Sequence, residues 1–559
     1  MREQHATPTT ATEERTGAQI LADHAARWGL QTVFHVPGEG ILEILDAFAE
    51  RQPSVRLIHA RNESGMTFMA SGAARATGRP ALALAARAPG ALNTCLALHT
   101  AMTDAVPLIM IIGQASMAFF ERESFLDTDF HRTFGPLAKW VALVTDPARV
   151  PEYLSRAYHV AMSGRMGPVV LVMPEDAMQA RVQIPDVAEP PAPIRAAPSR
   201  SDLDTIRDII ARAERPLLLL GGSGWDQASC DAIKKFATAN ALPTIVSYRR
   251  RDLFDNDDPH FAGEIGIGLA PDVAGLVHEA DAIVALGVRL GELNMIGGGF
   301  HGFGLLTTPK PRQRLIHIHP SADELNRVYQ ADLAVAATPR EAAFALAGLP
   351  SVSPPARGAW LSKARTQWEV FSNSGLCPGP LDLKAIYLWL RQRLPEDTIV
   401  AVGAGAYALW PQRYFGYHLP GTQLGPKSGA MGYGLPAAIG AAIAKPDRRC
   451  VAIAGDGCFM MNAEELATAV HHRIPVVTIV PNNNAFGAIR LGQQRLFGRS
   501  VGTELTNPDF VDFARSFGAH GERVTTTDEF APAFERAFAA GSPALVELVV
   551  PADATRPGA

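Results

Sequence analysis

The chain has 559 residues, 47% of them apolar and 19% charged, with 25 Phe, 9 Tyr and 7 Trp; it can fill several buried cores, which excludes a small stapled scaffold and global disorder. Lys plus Arg total 51 against 56 Asp plus Glu, a formal net charge of −5 with no basic blocks, so nucleic acid is not expected as the main partner. The five cysteines, Cys95, Cys230, Cys377, Cys450 and Cys458, are far apart and form no C-x-x-C pair; neither a disulfide framework nor a zinc knuckle is expected, and a reducing cytoplasm fits best.

Residues 1–16, MREQHATPTTATEERT, are polar and predict a loose tail in place of a signal peptide. No uninterrupted apolar run reaches the roughly 18 residues of a membrane span, so none is expected. From 17 to 185, short β-branched runs (LQTVFHV, LIHA, ALALAA, PLIMIIG, VVLVMP) alternate with helical patterns. A Pro-rich linker is expected over 186–202, then a second alternating region, 203–348, with PLLLLGG, LPTIVSY, AIVALG and LIHIHP. A further Pro-rich linker over 349–380, poor in helix or strand, precedes a third region, 381–552, with TIVAVG, CVAIAG, PVVTIV and ALVELVV, and a tail over 553–559. Continuous apolar strands separated by helices read as parallel sheets covered on both faces. The expected fold is therefore α/β, with three doubly wound parallel-sheet domains.

The strongest chemical signal lies in the third region. Val451 to Ala454 reads as a strand ending in Gly455-Asp456-Gly457, followed by a helix from about Ala463 to His471 and a strand from Ile474 to Val480 that runs into Asn482-Asn483-Asn484. Asn462 and Glu465 have the spacing of a capping box for that helix. In a βαβ unit the strands are parallel, so Asp456 and Asn483 emerge at one carboxyl edge despite lying 27 positions apart, and open α/β sheets bind ligands at that edge. A carboxylate, an amide oxygen and a backbone carbonyl such as that of Ala485 are hard donors suited to Mg²⁺ holding a diphosphate. A lone Gly-Asp-Gly is usually a tight turn; the helix, the second strand and the Asn run favour the cofactor site.

GDGCFMMNAEELATAVHHRIPVVTIVPNNN resembles the signature of the thiamine diphosphate enzymes. The resemblance implies that Asp456, Asn483 and the Ala485 carbonyl hold Mg²⁺, while backbone around Gly457, Cys458, Phe486 and Gly487 meets the diphosphate. Cys458 stands where serine is often found. Ala404, Gly405, Ala406 and Tyr407 take the remaining phosphate-side loop. In GTQLGPKSGAMGYGLPAAIGAA, Gly429 matches the residue whose carbonyl meets the 4′-amino group, and Met431 the apolar prop of the thiazolium ring. The family also uses a glutamate from another domain to bond the aminopyrimidine ring. LIHARNESGMTFMASGAARATGRPALALA resembles that segment, with Glu63 as the glutamate. A Glu at a helix start is ordinarily solvated; burial between strand and small-residue helix would raise its pKa and suit it to sharing a proton.

Domain order and the segments VFHVPGEG, IIGQ, FGPLAKW and GPVVLVMPED make the chain similar to the acetolactate synthase large-subunit group. That similarity implies a 2-oxo acid and a carbonyl acceptor as substrates, Glu39 and Gln114 beside the reacting groups, and a homodimer or homotetramer with active sites at the subunit interface. The middle domain of that group carries FAD, carries ADP or is empty. Gly221-Gly222-Ser223-Gly224 after a strand is too short a fingerprint to choose, and Arg289 falls in the same domain. Three residues depart from the group: Asn62 in place of His, Ala88 in place of Gly, and Leu126 in place of Gln. Carboligation, simple decarboxylation to an aldehyde and cofactor binding without ordinary turnover therefore remain open.

Overall fold

The computed structural model describes residues 13–297, 302–352, 357–375, 377, 379–552, 554 and 556–558. The chain falls into two compact units that divide between Pro193 and Ile194, with residues 76–78 going to the second. The first holds one six-stranded parallel sheet and the second holds two.

In the first unit the strands are β1 (Thr32–His35), β2 (Arg56–His59), β3 (Ala81–Ala85), β4 (Leu108–Gln114), β5 (Trp140–Leu143) and β6 (Pro168–Pro174), in the order β2-β1-β3-β4-β6-β5. All pairs are parallel. β4 is buried at all seven positions, as expected of a strand covered on both faces. The connection after β2 leads into α1 (Glu63–Thr77), whose small residues Gly65, Ala70, Ser71, Gly72, Ala73 and Ala74 are buried. The connection after β3 leads into the short α2 (Ala88–Asn93).

The second unit begins with β7 (Pro216–Leu220), β8 (Thr244–Val246), β9 (Phe261–Glu264), β10 (Ala282–Leu286), β11 (Arg314–His319) and β12 (Leu333–Ala336), in the order β9-β8-β7-β10-β11-β12. Its other sheet contains β13 (Ile399–Val402), β14 (Gln423–Leu424), β15 (Cys450–Ile453), β16 (Val476–Asn482), β17 (His520–Val524) and β18 (Ala544–Val549), in the order β14-β13-β15-β16-β18-β17. The chain leaves β13 toward β14 on one side, returns through α4 (Gly434–Ala444) to β15, and leaves neighbouring β15 toward β16 on the other. That reversal opens a crevice at the carboxyl ends of β13 and β15.

Several boundary expectations are corrected. The segment 349–380 is not devoid of helix: α3 (Arg357–Asn373) fills 17 of its positions. Its Trp360, Ala364 and Trp368 recur at i, i+4 and i+8 and pack into the middle-domain cores, and that apolar stripe outweighs the flanking prolines. A helix, Arg200–Arg212, starts inside the expected linker 186–202, capped by Ser199. Residues 1–12 of the expected tail lie outside the described residues, but Arg15–Thr16 pairs antiparallel with Arg181–Val182, and Thr16 caps the next helix in a capping box. In the expected tail 553–559, Ala554 is buried and its carbonyl accepts from Trp410 Nε1 at 3.3 Å. No helix among the described residues is long and apolar enough to cross a membrane.

The middle domain is keyed onto the last sheet by the loop after β8. The Arg251 amide donates to Gln423 Oε1 at 2.6 Å, the Gly421 amide to Asp252 Oδ2 at 2.8 Å, and the Asn256 amide to the Tyr417 carbonyl at 2.9 Å. Glu264, at the end of β9, is buried and accepts the Arg249 amide. Burial pushes its pKa up to about 7, against the pull of Arg251 and of the Arg249 amide and guanidinium. A carboxyl whose pKa rises on folding holds its proton better in the folded chain, so its contribution to stability is present at low pH and lost as pH rises toward 7. Relative to Glu264→Gln, the native chain is expected to lose on the order of 1–3 kcal/mol of stability between about pH 5 and about pH 8. Denaturant midpoints of both proteins across that range check this.

Candidate functional site

In the last sheet, β15 and β16 pair in parallel through Ile453 and Ile479. Asp456 and Asn483 therefore follow two adjacent strands at their carboxyl ends. Asp456 opens the short helix α5 (Asp456–Phe459) and is 3% exposed. Its carboxylate accepts Asn507 Nδ2 at 2.8 Å, and the backbone amides of Gly457, Ala485 and Asn484 lie near enough to favour its ionised form. Burial raises its pKa in spite of these donors. Among the described residues it forms no ion pair, so a buried carboxylate lies beside neutral amides with no described cation to balance it.

Asn483 Oδ1 accepts the Ala485 amide at 3.3 Å, and the Ala485 carbonyl accepts the Gly487 amide at 2.9 Å. Each of these oxygens has a second lone pair to offer. Three hard oxygens thus converge on one turn, a donor set that fits Mg²⁺. Gly487 starts α7 (Gly487–Phe497). The Phe486 amide is committed to the Thr503 carbonyl at 2.8 Å, and the Phe486 ring lies over Gly457. Phe486 therefore offers this site a ring, with its amide engaged elsewhere.

The expected capping box is not formed. The helix after α5 is α6 (Glu465–His471), preceded by Glu464 with no side-chain cap. Asn462 Nδ2 instead donates to the Gly432 carbonyl at 3.0 Å, and Thr468 Oγ1 donates to Glu465 Oε2 at 2.6 Å. Asn462 thus ties α5 to the loop holding Gly429 and Met431, a tertiary bond that wins over the local one. The Gly432 amide donates to Cys458 Sγ at 3.3 Å, a second tie to that loop.

Across the crevice, Ala404, Gly405, Ala406 and Tyr407 follow β13. The Tyr407 ring packs over Gly405 and Gly455, and its hydroxyl and Cys458 Sγ both border Gly403: a Cβ there would lie 2.4 Å from the hydroxyl and 2.6 Å from the sulfur. Desolvation raises the Tyr407 pKa well above its ordinary value. Gly429 is exposed, and Met431 is partly buried.

Two participants were not visible in the motifs. Asn507 Nδ2 also lies 3.1 Å from both Asn482 Oδ1 and Asn484 Oδ1. Asn482 Nδ2 donates to Glu547 Oε1 at 2.8 Å, and Arg523 Nε donates to Glu547 Oε2 at 2.7 Å. A polar chain thus runs from β17 through β18 and β16 to Asp456. Glu547 interrupts the apolar run ALVELVV and is 3% exposed, a signal that sequence reading offers; Asn507, in a polar loop, gives none. If Asp456 holds Mg²⁺, as proposed below, Asn507→Ala is expected to weaken metal-dependent cofactor binding about ten- to a hundredfold, the usual effect of losing an outer partner of a metal ligand, as measured by titration calorimetry.

In the first unit, Glu39, Glu63 and Ala88 follow the carboxyl ends of β1, β2 and β3, and Gln114 ends β4, all at one sheet edge. Glu63 is the first residue of α1 and is partly buried, not buried as expected. Asn93 Nδ2 donates to Glu63 Oε2 at 2.9 Å. A Cβ at Gly90 would lie 2.7 Å from Glu63 Oε1, so a larger residue there would displace the carboxylate from its present place. Asn62 Oδ1 accepts the Ser64 amide at 2.8 Å, an Asx turn that starts α1. The Ala88 amide donates to the Leu126 carbonyl at 3.2 Å, and Leu126 has a φ of 64°. Two of the three departures are therefore neighbours.

Gln114 is 5% exposed; its Nε2 donates to Asp127 Oδ1 at 2.8 Å and its Oε1 accepts the Ala115 amide at 3.0 Å. These contacts make it a brace for the loop that follows Leu126. Glu39 is exposed, on a loop whose Gly40 carbonyl packs against Gly113 of β4. In the middle domain, the glycines after β7 are explained by packing: a Cβ at Gly222 would lie 2.0 Å from the Gly287 carbonyl oxygen and one at Gly221 2.5 Å from Ser247 Oγ. Arg289 pairs with Glu324 at 3.0 Å.

The fold and site define a class. The thiamine pyrophosphate enzyme N-terminal TPP binding domain matches residues 15–132, the central domain 203–346 and the C-terminal TPP binding domain 403–548, and the chain belongs to the thiamine pyrophosphate (thiamine diphosphate) enzyme family. Among curated proteins it is 30% identical over 557 residues to the acetolactate synthase large subunit of Parasynechococcus marenigrum (strain WH8102), covering 96% of this chain and 87% of that one. It is 29% identical over 551 residues to the acetolactate synthase isozyme 2 large subunit of Escherichia coli (strain K12), covering 96% and 95%. A third relative is the probable acetolactate synthase 2, chloroplastic, of Oryza sativa subsp. japonica, 30% identical over 570 residues, covering 96% and 83%.

Proposed function

We propose that the protein is a thiamine diphosphate- and Mg²⁺-dependent carboligase that decarboxylates a 2-oxo acid and transfers the remaining acyl group to a carbonyl acceptor. The observation that carries this reading is the buried Asp456 carboxylate, bonded to Asn507 and paired with no cation among the described residues, on the strand end next to that of Asn483 and Ala485. The acetolactate synthase relatives support the choice of reaction.

When bound, thiamine diphosphate supplies the electron sink that a 2-oxo acid needs to lose CO₂. Asp456, Asn483 and the Ala485 carbonyl would hold Mg²⁺. Gly429 offers a carbonyl and Met431 an apolar surface to the organic rings. Glu63, fixed by Asn93 and the bare Gly90, holds or moves a proton at a carboxylate oxygen. Glu39, exposed on its loop, serves as a proton donor near the product, and Gln114 braces the neighbouring loop.

A second reading, a decarboxylase that releases an aldehyde, is favoured by Ala88 and Leu126, joined by their backbones where neither side chain can bond an acceptor. We place the chain in a homodimer or homotetramer; Leu496 and Phe497 of α7, 74% and 71% exposed, support association. A fully active monomer on sedimentation would overturn that assembly. The deciding experiment measures CO₂ release and products from pyruvate and from branched and aromatic 2-oxo acids, with thiamine diphosphate and Mg²⁺ present. Hydroxy ketones establish the carboligase, aldehydes alone the decarboxylase, and no release from any substrate overturns both. Mass spectrometry and the flavin absorbance of the purified protein decide whether FAD accompanies the chain.

A further inference from the structure

Arg249 belongs to the middle domain, yet its side chain ends inside the last sheet. It follows β8, has a φ of 58° and is 5% exposed. Nη1 donates to the Val402 carbonyl at 2.7 Å and Nη2 to the Gly403 carbonyl at 2.8 Å. Val402 ends β13, and Gly403 opens the loop through Ala404 to Tyr407. The same guanidinium lies against Gly425: a Cβ there would come within 2.2 Å of Nη1, so the loop from Gly425 toward Gly429 and Met431 starts in direct contact with it. The Arg249 amide is in turn held by the Glu264 carboxylate.

A planar guanidinium on two successive carbonyls fixes the orientation of both peptide planes. The plane after Gly403 sets the direction of the next amide in the phosphate-side loop. A loop ordered before its ligand arrives binds more tightly, because less freedom is lost on binding. Arg249 is thus placed to preset two loops of the last sheet through backbone contacts alone.

We propose that Arg249 is a positioning residue for the cofactor, a middle-domain side chain that holds the loops after Val402 and from Gly425 in their binding-ready form. This rests on the reading that thiamine diphosphate binds beside Asp456. The test uses the full-length chain, freed of cofactor by dialysis, as native protein, Arg249→Met, Arg249→Lys and Asp252→Asn. Amide exchange is read on peptides covering 402–408 and 425–432, thiamine diphosphate affinity by calorimetry in excess Mg²⁺, and turnover at saturating cofactor.

In Arg249→Met both peptides should exchange faster, and affinity should fall roughly tenfold, as expected for loss of charge-assisted hydrogen bonds. Turnover at saturating cofactor should stay within about twofold, since the residue holds loops and does no chemistry. Arg249→Lys should recover part of the affinity. Asp252→Asn, which weakens the same domain junction at Gly421, should lower the melting temperature and leave affinity unchanged. Unchanged exchange or unchanged affinity in folded Arg249→Met overturns the proposal. If that variant does not fold, unchanged exchange and affinity in Arg249→Lys do so. Native protein that binds no thiamine diphosphate overturns the cofactor reading and this proposal with it, whereas binding by native protein with equal affinity in the variants overturns this proposal alone.

Discussion

Asp456→Ala is expected to lose Mg²⁺-dependent thiamine diphosphate binding by more than about a hundredfold, beyond the range for an outer partner such as Asn507. The carboxylate is the one charged donor in its turn, and its burial makes a nearby cation worth far more than it would be in water. Titration of the metal-free protein with Mg²⁺ and cofactor, followed by calorimetry, measures the loss. Truncation also removes the acceptor of Asn507 Nδ2 and empties a buried polar niche. Asp456→Asn is therefore the companion variant: it keeps the shape, removes the charge, and should weaken binding to a similar degree while unfolding at nearly the native midpoint. Native affinity in both variants would mean that the cofactor is held elsewhere.

Glu63→Gln is expected to bind thiamine diphosphate normally and to lose at least about a hundredfold in turnover, the usual reach of a single proton-transfer group. Glutamine is nearly isosteric, so the close pass over Gly90 and the bond to Asn93 are kept. What disappears is the ability to take and return a proton. Steady-state CO₂ release at saturating cofactor, set beside the binding constant, separates the two effects. Full turnover in Glu63→Gln would show that the proton is handled by another group.

Much of the architecture was legible because burial on both faces imposes continuous apolar strands. TIVAVG, CVAIAG and PVVTIV could hardly be anything else, and their parallel pairing brought Asp456 and Asn483 to one edge. The weaker strands were not legible. Gln423–Leu424 has two residues and His520–Val524 carries charged positions, so neither shows an apolar run, and both exist through pairing with neighbours. α3 was hidden by prolines that stand outside its ends, although its two tryptophans and Ala364 mark a helical stripe.

For the site, the residue types and spacings determined that a carboxylate and amides are available for a hard cation, while the distant glutamate was picked out only by the family resemblance of its segment. The cation-site assignment is local in sequence because strand ends place its donors without help. Only the tertiary structure decided how each group is held. Asn462 chose the Gly432 carbonyl over a helix cap, Asn507 crossed to Asp456, Gly90 made room for Glu63, and Arg249 reached from one sheet to the next. Each of these joins residues far apart in the chain, and the bond is worth making only once packing has removed water from both partners. A short-range pattern cannot register that condition, and so the supporting residues appear only in the folded chain.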